Sequence, residues 1–529
     1  MNSVSSWMVW GLIGLFVITA CRMIFFQSLE TAVAFSAMDD GLYYPRLAQN
    51  IIERGICTYD GVTVTNGFHP LWLVCLLPVY WLIHNPFAAL WGVYAVIFIV
   101  QFASLWMFSR IARVLGMTAA GWAAAVFILL VNIRSLTIFF SFLESPLVLL
   151  MLVAYLAFCL RTGNDRFSNP WKSLVGGFLI GLCFLARLDC FLLPVSFGLI
   201  WLVQLIRQPL GWRTRFLSAA TAAGGCLIFT VPYLISNWIQ FGHVQTVSAW
   251  QKTVEVSPVG SWKIISSWSL HQFIPRVQHL LGLNRISPGL LLGLMFLIGV
   301  MGLLYVCTGA RRHCVMRLVA AFPEFTLFAL LHALFIILVA PMEAAASAWY
   351  WVPEILLVAL VAGMTLPNLS LARLPLIPIA VLLVAVVQWA IYPALVQRKT
   401  MSFAKMEVAR YLRENTPPDS RGAMFDSGIV SYFSQRDFLG INGLIGDFEH
   451  AQMMKDKEYS EAFDRCGVGY LVLDTPEDLL KQFESSLLYV SALRTKFENF
   501  NEPPKPFVVY GGSAGELERV WTVRYGGLR

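Results

Sequence analysis

Long apolar runs separated by short polar segments occupy the first three quarters of the chain, a pattern typical of a polytopic membrane protein. A membrane-spanning helix needs about 20 apolar residues, which predicts about eleven spans, the first an uncleaved signal anchor. The run Leu71–Ile83 is too short to span and predicts a re-entrant or interfacial helix. The predicted spans cover residues 7–26, 88–108, 118–138, 145–160, 173–188, 190–206, 216–236, 288–308, 323–340, 348–366 and 374–394.

The pattern changes after residue 394. There, short segments predict a small α/β domain with a helix at Glu407–Asn415 and further helices at about 447–465 and 476–487. The predicted strands are Ala423–Asp426, Phe438–Ile441 and Val468–Leu473. Residues 1–394 contain 33 charged side chains, whereas the 135 residues of 395–529 contain 36. We therefore predict a polytopic α-helical membrane domain over 1–394 and a soluble α/β domain over 395–529.

Composition excludes several other classes of protein. The chain is 58% hydrophobic and 13% charged, with a mean hydropathy of +0.67. These values exclude a disordered chain and a soluble enzyme of ordinary composition. The net charge of +7 does not indicate nucleic-acid binding, because the basic residues lie in short loops between spans. Ten cysteines in a chain of this length are no disulfide framework.

Basic residues mark one side of the predicted membrane domain, which the positive-inside rule makes cytoplasmic. These clusters are Arg110/Arg113, Arg161/Arg166/Lys172, Arg207/Arg213/Arg215, Arg311/Arg312/Arg317 and Arg373. Most acidic residues then lie in outer loops or at outer helix ends: Asp39, Asp40, Glu53, Asp60, Glu144, Asp189, Glu255 and Glu343. The tail also emerges outside. Any chemistry is therefore expected at the outer leaflet.

The first outer loop combines adjacent carboxylates with aromatic and amide side chains. After Asp39 and Asp40, the helical spacing of Tyr43, Leu47 and Ile51 predicts an amphipathic helix along the membrane surface. The acidic pair could simply cap this helix. It could also form a polar pocket, in which one carboxylate is a general base while the other orients an acceptor or binds a divalent cation.

Six segments in order along the chain resemble the GT-C superfamily of integral-membrane glycosyltransferases, within it the bacterial arabinofuranosyltransferase-like proteins. Two of them depart from the expected pattern, with Leu188 and Thr246 in place of proline. The segments are Asp39–Tyr44 with Thr65–Trp72, Phe142–Leu147, Ala186–Asp189, Phe241–Lys252, Trp349–Pro353, and Phe425–Gly428 with Gly440–Leu444. The set is specific for the superfamily and not for the sugar.

The resemblance implies transfer of a sugar, arabinofuranose being favoured, from a polyprenyl-phosphate donor to a glycan, lipid or protein hydroxyl at the outer face of a bacterial inner membrane. Asp39 would be the general base, and Asp40 would support it, directly or through a divalent cation (Mg2+, Mn2+ or Ca2+). No nucleotide site is implied. Arg187 and Lys252 would bind the donor phosphate. Candidate substrate contacts are Tyr43, Tyr44, Asn66, His69, Glu144, Asp189, Tyr350 and Glu354.

Several of these residues have simpler interpretations. Arg187, Lys252 and the third candidate, Arg134, could snorkel to the interface, and Arg187 could pair with Asp189. Glu354 inside a span indicates either a functional site or a buried pair with an arginine such as Arg22. Tyr350 and Trp349 could belong to an interfacial aromatic belt, and Asp426 and Asn442 to turns.

Two other classes of function remain open at this stage. A transporter would also have many spans with sparse charges, but it usually has paired broken helices in two repeated halves, a pattern that we do not find. A non-catalytic binder of lipid-linked sugars would keep the fold without needing a base, and Asp39–Asp40 argues weakly against it.

Overall fold

The computed structural model describes residues 14, 27–131, 138–207, 211–254, 309–338, 348–365, 402–456, 458–473, 508–511 and 518–522. Most of the described chain is helical. The helices that precede the tail are Leu29–Ser36, Tyr43–Arg54, Pro70–Leu82, Pro86–Leu115, Ala119–Val126, Ser145–Thr162, Pro170–Ala186, Leu192–Arg207, Trp212–Phe241, Val247–Val254, Gly309–Ala321, Pro323–Leu338 and Val352–Thr365.

Several of these helices have the length and composition of membrane spans. Four qualify singly among the described residues, and a fifth span is possible if two helices that meet at a 96° bend, Arg312–Ala321 and Pro323–Ile336, act together. The four are Pro86–Leu115, Ser145–Phe167, Leu188–Arg207 and Trp212–Phe241. The predicted polytopic helical fold is confirmed, while the count of eleven stays a prediction. Predicted spans 288–308 and 374–394, and all of 7–26 except residue 14, lie outside the described residues.

The first loop folds as its pattern predicts. An amphipathic helix occupies Tyr43–Arg54 and ends at Gly55, which takes the left-handed conformation with φ of 73°. The short run forms a helix over Pro70–Leu82, 13 residues long and therefore about 20 Å, too short to cross a bilayer. Pro70 occupies the first helical position, where its missing N–H costs no hydrogen bond.

The tail contains a five-stranded sheet in the order β2-β1-β3-β4-β5. Strand β1 pairs in parallel with β2 and β3, and β4 joins antiparallel neighbours on both sides. The strands are β1 Arg421–Met424, β2 Asp437–Gly440, β3 Val468–Leu473, β4 Val508–Gly511 and β5 Glu518–Thr522; the helices are 402–415, Gly428–Ser434, Phe448–Asp456 and Tyr459–Cys466. The predicted α/β tail is thus confirmed, whereas the helix predicted at 476–487 lies outside the described residues.

The tail shares its packing with the membrane helices. Val408, Leu412 and Ile429 belong to the same cluster of buried apolar side chains as the helices of the first 394 residues. A separate, smaller cluster lies between the sheet and the two helices that follow β2, and includes Leu439 and Phe463. Burial of apolar surface therefore ties the tail to the membrane domain, while the boundary at 394/395 stays a prediction.

Asp39 is the main polar contact between the first loop and the tail. Its Oδ2 atom accepts a hydrogen bond from the Gly428 amide at 2.8 Å, and its Oδ1 atom accepts one from the Ile429 amide at 3.2 Å. The Lys405 ammonium lies 3.1 Å from Oδ1. Asp39 therefore caps the helix Gly428–Ser434 from another part of the chain, as a carboxylate at a helix N-terminus can.

The helix Tyr43–Arg54 and the short helix after it also bind the tail. The Asp437 carboxylate in the tail forms ion pairs with the guanidinium groups of Arg46, at 2.9 Å, and Arg54, at 2.8 Å. The hydroxyls of Tyr80 and Tyr432 are 2.7 Å apart, in a buried contact. Since these contacts come from both helices of the first loop, the tail is held against the loop as a whole.

Close approach at Asp39 requires a glycine in the tail. A Cβ atom on Gly428 would lie 1.9 Å from the Asp39 carbonyl oxygen, so no side chain fits there. We expect Gly428→Ala to separate the helix from Asp39 and to destabilise the protein by about 1–3 kcal/mol. Thermal unfolding of the purified protein in detergent measures this loss.

Gly469→Ala is the matched control, since a Cβ atom there meets only the Arg421 carbonyl oxygen at 3.8 Å. It should unfold close to the wild-type temperature. Equal unfolding temperatures for the two variants would contradict the close packing at Gly428.

Candidate functional site

A pocket opens where the first loop, the following loops and the tail meet, and it encloses about 580 Å³ including its open mouth. It is lined by Asp40, Tyr43, Tyr44, Gly67, Phe68, His69, Leu143, Glu144, Arg187, Ser248, Lys252, Trp349, Tyr350, Leu444 and Ile445. Eight of the twelve site residues predicted from the sequence therefore line one pocket. The other four, Asp39, Asn66, Asp189 and Glu354, lie behind its walls.

The two adjacent aspartates have different surroundings. Asp40 begins a tight helical turn, Asp40–Leu42, that precedes the helix Tyr43–Arg54, and Asp39 is the residue before this turn. Both oxygens of Asp39 are engaged by the tail, whereas Asp40 lines the pocket. Of the two carboxylates, Asp40 is thus the one in a position to meet a bound molecule.

Asp40 has the electrostatics of a proton acceptor near neutral pH. Burial, followed by the negative charge of Asp426, raises the pKa of Asp40 from 3.8 to about 7, although the Lys252 ammonium opposes the shift. A carboxyl that titrates near the working pH suits general base chemistry. Beside it, the buried Tyr43 hydroxyl has no hydrogen-bond partner among the described residues and faces the same charges.

Gly41 allows the first loop to pack closely against the loop that contains Ser141. A Cβ atom on Gly41 would lie 2.0 Å from the Ser141 carbonyl oxygen, so the Asp-Asp-Gly sequence needs its glycine for this contact. Phe142, the next residue, has the left-handed φ of 66° that a non-glycine residue rarely adopts. The Trp72 indole donates a hydrogen bond to the Phe142 carbonyl at 2.8 Å and holds this conformation. Two residues later lies Glu144.

Glu144 is buried and connects three pocket residues. The Tyr44 hydroxyl donates to its Oε2 atom at 3.0 Å, and the Arg187 guanidinium lies 3.3 Å from Oε1. His69 Nε2 lies 3.5 Å from the same oxygen. Burial lowers the pKa of His69, and its Nδ1 atom accepts a hydrogen bond from the Leu188 amide, so a neutral ring with its proton on Nε2 fits both contacts.

Arg187, Tyr350 and Lys252 form the opposite wall. The Arg187 guanidinium lies over the Tyr350 ring, 4.1 Å from its centroid, and donates to the Trp349 carbonyl at 2.5 Å. Lys252 donates to the Tyr350 hydroxyl at 3.1 Å. Arg187 is already paired with two carboxylates, Glu144 and Asp189, whereas Lys252 has no carboxylate within ion-pair distance among the described residues.

Asn66 supports this wall from behind. Its side chain accepts a hydrogen bond from the Val247 amide at 2.9 Å and donates to the Gln245 carbonyl at 3.3 Å. It thereby fixes the start of the helix that bears Lys252. Gly67 next to it lets the tail approach, because a Cβ atom there would lie 2.3 Å from the Leu444 carbonyl oxygen.

Asp189 and Glu354 lie deeper and are joined by a histidine. Asp189 binds Arg187 at 2.8 Å, and His332 lies between Asp189 and Glu354. The predicted pairing of Arg187 with Asp189 is therefore present. For Glu354 the described partner is His332, while Arg22 and Arg134 lie outside the described residues.

The described residues do not complete a metal site around Asp40. Among the described residues, no group of three histidine, cysteine or carboxylate side chains is placed to hold an ion. Asp39, the neighbour that would complete a two-carboxylate site with Asp40, is engaged by an ammonium and two amides.

Three contributions to the site escaped the sequence analysis. His332 could have been noticed as an ionisable side chain in the apolar run 323–340, which is a functional signal by default. Lys405 and the pocket residue Ile445 have no such signal, because only the docking of the tail brings them to the first loop.

Comparisons with known proteins agree with this architecture. A family described as a domain of unknown function (DUF8728) matches residues 392–510, and no curated protein sequence matches the chain. The structure is similar to that of ArnT from Cupriavidus metallidurans bound to undecaprenyl phosphate, with a TM-score of 0.56 and 14% identity over 90% of this chain and 95% of that one. For apo ArnT the TM-score is 0.52, at the same identity and coverage.

The Archaeoglobus fulgidus oligosaccharyltransferase tethered to an acceptor peptide is also similar, with a TM-score of 0.50 and 13% identity over 88% of this chain and 69% of that one. ArnT and the oligosaccharyltransferase both have the GT-C fold. The predicted GT-C fold of this integral membrane chain is therefore confirmed.

The titration of Asp40 can be measured without knowledge of a substrate. Dicyclohexylcarbodiimide reacts with protonated carboxyls in apolar surroundings. Because the pKa of Asp40 is raised to about 7, labelling of its peptide should be strong at pH 5.5 and should fall by half near pH 7. Mass spectrometry of the digested protein measures the labelled fraction.

Asp426→Asn should move the midpoint of this labelling to lower pH, because it removes a negative charge that raises the pKa of Asp40. Burial also raises the pKa of the adjacent Asp39, so fragment-ion spectra must assign the label, and Asp40→Asn should abolish the label at position 40. A midpoint near pH 4 in the wild-type protein would contradict the electrostatics described for Asp40.

Proposed function

Because the chain has the GT-C fold, we propose that it is a glycosyltransferase. It transfers a sugar from a polyprenyl-phosphate donor to a hydroxyl group of a glycan, lipid or protein acceptor. The observation that supports this most strongly is the pocket itself, in which a carboxylate with a raised pKa, Asp40, lies across from an ammonium without a carboxylate partner among the described residues, Lys252. Base and phosphate ligand are the two groups that this reaction needs.

Asp40 acts as the general base in this proposal. It removes the proton of the acceptor hydroxyl as the oxygen attacks the anomeric carbon of the sugar. The bond from that carbon to the phosphate oxygen breaks, and its electron pair leaves with the lipid phosphate. The resemblance to the GT-C superfamily implies Asp39 as the base, but the tail engages both Asp39 oxygens, which favours Asp40. Asp39 then fixes the turn that presents Asp40.

Lys252 and Arg187 bind the donor phosphate, which gains one negative charge as the sugar leaves. Lys252 supplies a positive charge that has no carboxylate within ion-pair distance among the described residues, and the Tyr350 hydroxyl contacts its ammonium. Burial opposes the charge of Lys252, but the Tyr350 contact and the Asp40 charge outweigh it and raise the pKa of Lys252, so the ammonium persists at neutral pH. Stabilisation of charge that develops at the leaving oxygen is the largest effect such a site can offer.

The remaining pocket residues bind the sugar and the acceptor. Tyr44, Glu144 and His69 present hydroxyl, carboxylate and imidazole groups to the sugar hydroxyls, while Trp349 and Tyr350 offer ring faces. Arabinofuranose is the favoured sugar on the resemblance of the sequence segments. The tail, residues 395–529 in the proposed division, binds the acceptor, since Leu444 and Ile445 contribute to the pocket mouth. The active site lies at the outer face of a bacterial inner membrane.

A transfer assay tests the proposal. The purified protein is incubated with a panel of polyprenyl-phosphate sugars, and candidate acceptors are analysed by mass spectrometry. We expect transfer by the wild type, a loss of about 100-fold or more for Asp40→Asn, and a similar loss for Lys252→Met. Asp165→Asn, which removes an exposed carboxylate paired with Lys172, should retain full activity.

Uptake of a free sugar by vesicles, with no transfer to any acceptor, would favour a transporter instead.

The variant Asp39→Asn distinguishes the role of Asp39 from that of Asp40. We expect it to weaken tail docking and lower the unfolding temperature, with a smaller loss of activity than Asp40→Asn. Full activity in Asp40→Asn would refute its role as base.

The pH dependence of transfer follows from the same group. Since Asp40 must be deprotonated to act as a base and its pKa is about 7, kcat/KM should fall about tenfold per pH unit below pH 7 and level off above it. Asp426→Asn should move this fall to lower pH. A rate that does not change between pH 5.5 and 8 would exclude Asp40 as the base.

A further inference from the structure

His332 is a fully buried histidine that contacts a carboxylate on each side. Its Nδ1 atom lies 2.8 Å from Glu354 Oε1, and its Nε2 atom lies 3.4 Å from Asp189 Oδ2. It belongs to the apolar helix Pro323–Leu338, whereas its partners lie in two other segments. His332 therefore connects three parts of the membrane domain at one point behind the pocket.

Carboxylates on both sides favour a doubly protonated ring, although only the Nδ1 contact with Glu354 is a hydrogen bond. A neutral imidazole has one N–H group and one lone pair, so one of its nitrogens would turn a lone pair toward a carboxylate. An imidazolium presents N–H groups to both Asp189 and Glu354. A buried charge without a partner raises the free energy of the folded state. The positive ring offsets part of the negative charge of the carboxylates around it.

The charges around His332 alternate in sign toward the pocket. Glu144, Asp189 and Glu354 are the acids, and Arg187 and His332 are the cations, so the cluster carries one net negative charge. If His332 lost its charge, Arg187 would be the one positive charge left in this cluster of described residues, facing three carboxylates. Arg187 would then be drawn toward whichever carboxylate is least compensated.

A displacement of Arg187 would also affect Tyr350 and Lys252, the other two residues of its pocket wall. It contacts the segment Ala348–Trp351 twice, through the Trp349 carbonyl at 2.5 Å and over the Tyr350 ring at 4.1 Å. The Tyr350 hydroxyl in turn orients Lys252 at 3.1 Å. A shift of Arg187 therefore moves Tyr350 and the ammonium that it holds.

We propose that His332 is a positioning residue for the donor site. It holds Asp189 in place, so that Arg187 keeps Tyr350 and Lys252 where the lipid phosphate binds. The inference rests on the proposed function, because it names the phosphate of a lipid-linked sugar as the group that is positioned. His332 itself does not line the pocket and touches no substrate.

The experiment compares His332→Gln with the wild type in steady-state transfer and in direct binding of undecaprenyl phosphate. We expect the donor KM and the dissociation constant of undecaprenyl phosphate to rise about 10-fold or more, because small displacements of a positioning group are costly. The KM of the acceptor should not change, and kcat should fall less than the donor KM rises.

A double variant and a matched control separate positioning from stability. His332→Gln combined with Glu354→Gln restores the net charge of the cluster and should recover part of the donor affinity. Glu324→Gln breaks the equally buried ion pair with Arg166, which does not reach the pocket. It should lower the unfolding temperature and leave the donor KM unchanged.

Two results would overturn the inference, and only the second would also overturn the proposed function. If the wild type transfers sugar and His332→Gln resembles Glu324→Gln, with lower stability and an unchanged donor KM, the positioning role is wrong and the proposed function stands. If the wild type neither transfers sugar nor binds undecaprenyl phosphate, the proposed function and the positioning role both fail.

Discussion

A charged group that leaves water must find a charge of opposite sign, and this constraint organises the site. Arg187 is 3% exposed, and it is stabilised by Glu144 on one side and Asp189 on the other. Asp189 lies in the same segment as Arg187, whereas Glu144 and the Trp349 carbonyl, which also binds the guanidinium, come from segments distant in sequence. Satisfying one buried guanidinium therefore brings together three segments that form the pocket. Tyr350 and Lys252 then take their positions from Arg187.

The acidic pair shows how adjacent residues of one type take different tasks. In a helical turn, successive side chains point in different directions, so Asp39 meets the tail while Asp40 meets the pocket. The sequence left open that the acidic pair caps the helix Tyr43–Arg54, and neither carboxylate does so. Asp39 caps the helix Gly428–Ser434 instead, nearly 400 residues away. Capping and a role in the pocket are therefore both present, divided between two neighbours.

Sequence patterns predicted the elements better than the contacts between them. The helix of the first loop, the short helix after it and three strands of the tail follow from local periodicity and from proline and glycine positions, which act over a few residues. Sorting charges by membrane side also predicted which residues share the pocket. Lys405 and Ile445 could not be predicted, because their roles depend on packing between segments that no local pattern encodes.

Leu444 and Ile445 are among the last residues of the chain to join the pocket wall, after contributions from residues 40–69, 143–144, 187, 248–252 and 349–350. A ribosome makes these segments in that order. During synthesis the cavity therefore lacks one side until the tail has been made and has docked on Asp39. The growing polypeptide therefore contains every predicted reactive group before it can form a closed pocket.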